Sequence, residues 1–193
     1  MMNLSRGLTA LLIGLELINA TPSKQENGQI TRPQFRMISI GERRVAVYCE
    51  GEATSSPTVI LIPAGGRTAQ DWEKVQPEVA KFARVCSYDH PNFGASNKAA
   101  VQLQSAEEVI DDLHAWLKAS SEKKPLILVG HSISGVYIRR FLTKYPGETA
   151  GLVFVDSSHE EQVLRLQKLD PQGSADTLFN WISLKWSSRQ SEM

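Results

Sequence analysis

The stretch Pro125-Leu-Ile-Leu-Val-Gly130-His-Ser-Ile-Ser-Gly135 decides how this chain is read. Its apolar start makes a short buried strand, a sharp turn carries Ser132, and Val136–Tyr145 continues with helical spacing. That order is the setting of a nucleophile elbow. Such a turn holds its serine in strained backbone geometry, with the hydroxyl exposed at the end of a sheet and the amide near a helix N-terminus. Strand and helix nearly touch there, so the flanking positions must be small. Gly130 and Gly135 meet that need, and Ser134 stands where the pattern usually has glycine. Ser132 is therefore the candidate nucleophile.

Outward from the turn, short apolar runs alternate with helical patterns, the sign of an α/β sheet with helices on its faces. Gln34–Ile40 and Arg44–Glu50 flank Gly41-Glu42 as a hairpin. Thr58–Ile62 is a buried strand ending at Pro63-Ala64-Gly65-Gly66, and Gln70–Ala83 is helical around Val75, Val79 and Phe82. Arg84–Tyr88 is a strand that opens into the loop Asp89–Ser96. Ala106–Ser120 is a helix, with Ser105 as N-cap, Glu108 closing a capping box, and His114 an ordinary residue of its face. Gly151–Val155 is a further buried strand, followed by Asp156-Ser157-Ser158-His159 and a helical stretch Glu160–Leu169. Leu178–Trp186 is apolar and aromatic.

At 193 residues, 41% hydrophobic, the chain suits one domain with a real core. A formal net charge of +0 gives no reason to expect a nucleic acid or an anionic surface as partner. Residues 1–20 have the layout of a signal peptide: one positive charge, an apolar run, then small residues with cleavage after Ala20. Glu16 interrupts the run, which is too short for a stable membrane anchor. The expected organisation is thus a signal peptide at 1–20, a linker at 21–33, a core at 34–165 and a cap start or tail at 166–193. A secreted or periplasmic chain follows, with a cytoplasmic one as the alternative. Two cysteines, Cys49 and Cys86, permit one disulfide after export, or two buried thiols otherwise. No metal is expected, because the histidines and cysteines are scattered in the sequence. No cofactor is expected either, since a dinucleotide fingerprint and a phosphate loop are both missing.

Four segments together resemble the α/β-hydrolase family, close to its secreted bacterial members. They are Leu61-Ile-Pro-Ala-Gly-Gly66 with Asp71-Trp72, Val85-Cys-Ser-Tyr-Asp-His-Pro-Asn-Phe-Gly-Ala-Ser96, the serine turn, and Ala150-Gly-Leu-Val-Phe-Val-Asp156. The resemblance implies an α/β-hydrolase fold: a mostly parallel sheet of about six strands, its first hairpin antiparallel, with helices on both faces. It implies a serine hydrolase of ester-like carbonyl substrates, with Ser132 as nucleophile. The oxyanion donors would be the amides of Ile133 and Gly65, with Gly66 the alternative. It also places Cys49 and Cys86 on neighbouring strands as a disulfide pair.

The family's chain order is nucleophile, acid, histidine, and its last two strands carry the later members. Those strands are not legible here, so the chain reads as C-terminally truncated. Of the four histidines only His159 follows Ser132, at a place where the family has no base. Asp156 could serve as the acid, or simply bond loop amides. The expectation is weak or lost activity, since a serine without a base is a poor nucleophile. The competing readings are a non-catalytic module that binds a small molecule or a partner, and a gene fragment. Leu178–Trp186 would then be an exposed apolar segment open to self-association.

Overall fold

In a computed structural model, the structure describes residues 35–52, 57–99, 104–122 and 124–169. The expected signal peptide, the linker and Leu178–Trp186 lie outside them. Six strands form one sheet: β1 Arg36–Ile40, β2 Arg43–Glu50, β3 Thr58–Ile62, β4 Val85–Tyr88, β5 Leu126–His131 and β6 Thr149–Val155, in the spatial order β1-β2-β4-β3-β5-β6. β1 pairs antiparallel with β2, and β2 antiparallel with β4; the other pairings are parallel. The hairpin turns at Gly41, whose φ of +66° suits glycine.

The central strands are apolar on both faces, as a sheet covered on both sides requires. Ile60 and Ile62 of β3 point into the larger core with Cys86, Tyr88, Leu126 and Leu128. Val59 and Leu61, one residue out of phase, join Val85, Val129 and Trp72 on the opposite face. Helices α2 Ala106–Ser120 and α3 Ser134–Lys144 contribute Ile110, Leu113, Trp116, Ile138 and Phe141 to the larger core.

Helix α2 has the expected bounds and cap. The Ser105 hydroxyl accepts from the Glu108 amide at 3.3 Å, and the Glu108 carboxylate accepts from the Ser105 amide at 2.8 Å. Replacing Ser105 with alanine should cost about 1 kcal/mol, read as a lower urea midpoint at unchanged slope.

Two expectations fail. The single helix over 70–83 is instead a 3₁₀ turn, Ala69–Trp72, and a short helix α1, Gln76–Ala80, with Pro77 in its first turn. Asp71 bonds back to the preceding loop rather than continuing one helix, and Val75 and Phe82 are 42% and 78% exposed instead of forming a buried stripe. The second failure is β6, read as buried. It pairs with β5 at the margin of the described sheet, and Val153, Phe154 and Val155 are 45%, 47% and 38% exposed. Helix α4, Gln162–Leu169, follows it.

Candidate active site

Ser132 sits between the last residue of β5 and the first turn of α3 with φ at +55°, a conformation that L-residues adopt at a cost. The strain is held by hydrogen bonds from three directions. The Ser132 amide donates to the Val155 carbonyl at 3.2 Å, and its carbonyl accepts from the amides of Gly135 at 3.0 Å and Ser158 at 2.9 Å. The segment after β6 is thus bound to the turn, and Ser157 adds a hydroxyl bond to the Gly130 carbonyl at 2.6 Å.

The two glycines are there for space. A Cβ on Gly130 would lie 2.7 Å from the Ser134 carbonyl oxygen, and one on Gly135 would lie 2.5 Å from the Ser157 Cβ. Ser134, the departure from the usual pattern, is wholly buried, and its hydroxyl donates to the Pro63 carbonyl. The same carbonyl accepts from His90 Nε2 at 3.3 Å. Burial pushes the His90 imidazole down to about 4, so it is neutral, with its proton on Nε2.

The loop after β3 is braced on its other side as well. Asp71 accepts from the Ala64 amide at 3.2 Å and from the Arg67 guanidinium. Asp89 accepts from the Ala69 amide at 2.9 Å, the Ala95 amide at 2.9 Å and the Tyr48 hydroxyl at 3.1 Å, tying three segments together. Gly65 consequently packs against Ile133, where an added Cβ would lie 2.8 Å from Ile133 Cγ2. The Ala64 amide is engaged by Asp71. Among the described residues, the amides of Gly65, Gly66 and Ile133 donate to no acceptor.

Neither His159 nor Asp156 is hydrogen-bonded to the Ser132 hydroxyl among the described residues. His159 is exposed, and its Nδ1 accepts from the Glu161 amide at 3.1 Å, as part of the turn leading into α4. Asp156 is exposed, with φ at +42°. His114 does more than decorate its helix: it stacks on Tyr145 at 3.7 Å and meets Glu148 at 3.2 Å. Sequence reasoning missed the braces His90, Asp71 and Asp89. The one available signal was Ser134, a hydroxyl where glycine is usual.

A family model described as the alpha/beta hydrolase fold matches residues 57–192, and the chain belongs to this family. A vacuolar membrane protein of Saccharomyces cerevisiae is 28% identical over 130 residues, covering 65% of this chain and 20% of that protein. The chain therefore spans about one fifth of the length of the curated yeast relative it matches. A protein assigned as a lipase from Acinetobacter baumannii superposes with a TM-score of 0.62 at 21% identity, covering 72% of this chain and 48% of that one. A serine hydrolase involved in carbazole degradation gives 0.58 at 23%, covering 76% and 61%. These likenesses establish the fold. The yeast match also corrects the expected localisation. That relative is a vacuolar membrane protein of a eukaryote, which does not fit the bacterial export expected from residues 1–20.

Proposed function

We propose that the chain is a serine hydrolase of ester-like carbonyl substrates, with Ser132 as its nucleophile. In this reading the Ser132 hydroxyl oxygen attacks the carbonyl carbon and the developing oxyanion is held by the amides of Ile133 and Gly65, with Gly66 the alternative donor. The observation that carries it is the set of unengaged amides on two touching residues beside a strained serine. Fixed donors of this kind stabilise charge without reorganising, and each is typically worth about 10²–10³ in rate.

The weak member is the base. His159 Nδ1 is spent on the Glu161 amide, and among the described residues no side chain is hydrogen-bonded to the Ser132 hydroxyl. Hydrolases stripped of triad members typically retain about 10³–10⁴-fold catalysis over water. Slow turnover is the expected behaviour. The same observation favours a second reading, a module that binds a small molecule or a partner without catalysis.

The test is fluorophosphonate labelling of the purified chain beside Ser132→Ala. Slow labelling that disappears in the variant is the expected result. A cooperatively folded chain that takes no label, while binding an ester analogue equally well before and after Ser132→Ala, would establish the second reading instead.

A further inference from the structure

Two successive peptide units ahead of Gly65 are clamped at their polar atoms. In the first, Pro63–Ala64, the carbonyl accepts from the Ser134 hydroxyl and from His90 Nε2 at 3.3 Å, while the Ala64 amide donates to Asp71 Oδ2 at 3.2 Å. In the second, Ala64–Gly65, the carbonyl accepts from the Arg67 amide at 3.1 Å. That bond closes a turn over Ala64–Arg67, and Gly66 at its third position has φ at +70°, the sign a type II turn requires there. Gly66 is thus needed for the bend. A trans peptide is planar, so its N–H points opposite to its C=O. With the Ala64 carbonyl tied to Arg67, the Gly65 N–H is held in the opposite direction. Among the described residues it donates to no acceptor, and Gly65 itself packs on Ile133.

Ser134 and His90 come from elements remote from this loop and serve one carbonyl. Ser134 opens α3 and is wholly buried; His90 follows β4 and is 5% exposed. The imidazole meets the rings of Tyr88 and Tyr137 edge-on, at 5.0 and 5.9 Å between centroids, which sets its plane. A carbonyl oxygen has two lone pairs, and here both are taken by side chains. Glycine at position 134, the usual residue, would leave the Pro63 carbonyl to His90 alone.

We infer that Ser134 and His90 are positioning residues: together they fix the loop after β3 so that the Gly65 N–H, rather than that of Gly66, is the second oxyanion donor beside Ile133. This rests on the reading of Ser132 as nucleophile. Neither side chain touches the reacting atoms, and both act through the Pro63 carbonyl. Without them the loop turns about the backbone dihedrals of Pro63 and Ala64. A donor displaced by about 1 Å can lose about 10²-fold in rate.

Ser134→Ala and His90→Phe each remove one donor and keep most of the packing, and His90→Gln puts an N–H back. Ser134→Gly takes the place of Ser134→Ala if the alanine variant does not fold. The full-length chain and its variants are compared by fluorophosphonate labelling, as saturated rate and half-saturating concentration, and by the Gly65 and Gly66 amide signals in nuclear magnetic resonance. In Ser134→Ala and His90→Phe the saturated rate should fall by about tenfold or more at unchanged half-saturation, and His90→Gln should recover it. The Gly65 amide should shift and exchange faster with solvent in both slowed variants. Phosphonylation of wild-type Ser132 should move the Gly65 amide further downfield than that of Gly66. An unchanged saturated rate in folded variants overturns the proposal, as does an unmoved Gly65 amide or a larger shift at Gly66. Equal slowing in His90→Phe and His90→Gln overturns it for His90, because packing then explains the loss. A wild-type chain that takes no label counts against Ser132 as nucleophile, and the Gly65 amide in the variants still decides whether the clamp exists.

Discussion

Trp116→Ala is expected to lower the thermal midpoint by about 10 °C. The indole is fully buried in the larger core and packs on Tyr88, with ring centroids 5.5 Å apart. Truncating a buried tryptophan typically costs about 3–5 kcal/mol, because the cavity only partly collapses. Domains of this size lose about 2–4 °C per kcal/mol, out of a total stability of about 5–15 kcal/mol. Trp116→Phe separates packing from polarity. The Trp116 Nε1 is buried without a hydrogen-bond partner among the described residues, so phenylalanine keeps most of the packing and removes an unsatisfied donor. Its cost should stay under about 1.5 kcal/mol by scanning calorimetry. Equal losses in the two variants would mean that the indole N–H has a partner after all.

Gly135→Ala is expected to destabilise the chain and slow Ser132 labelling together. Inside a helix this exchange usually gains up to about 1 kcal/mol. Here the sign reverses. The new methyl would lie 2.5 Å from the Ser157 Cβ and 2.9 Å from the Ser158 carbonyl oxygen, and the latter is backbone that cannot turn aside. Overpacking of this kind costs about 1–3 kcal/mol. Pushing Ser158 away would also break the bond from its amide to the Ser132 carbonyl, part of what holds the strained turn. Adding Ser157→Gly removes the closer contact and leaves the backbone one, so it should restore only part of either loss. A stabilised variant in equilibrium unfolding, with labelling unchanged, would show that strand and helix are not in such close contact.

The elements that could be read directly from the chain are those whose pattern is local. β3 has its expected bounds because a continuous apolar run can only be a doubly covered strand at that length. α2 has its expected bounds because a capping box and an apolar stripe at helical spacing agree with each other. The serine turn was legible for the same reason, since small residues at fixed offsets mark a close backbone approach that the structure bears out at Gly130 and Gly135. The hydrolase family followed from several such segments in order.

Tertiary structure decided the features that depend on partners distant in sequence. Asp71 folds back onto Ala64, so a stretch with a helical stripe becomes a 3₁₀ turn and a short helix. The exposure of β6 reflects which strand pairs with it, and its own apolar residues do not encode that. His90 and Ser134 converge on one carbonyl from different elements, and Cys49, Cys86 and Glu122 converge on one point. By itself the sequence determined the chemistry that each residue carries and the local backbone that presents it. The sheet order decided which of those residues meet, because hydrogen-bonded pairing brings together side chains that no local pattern links.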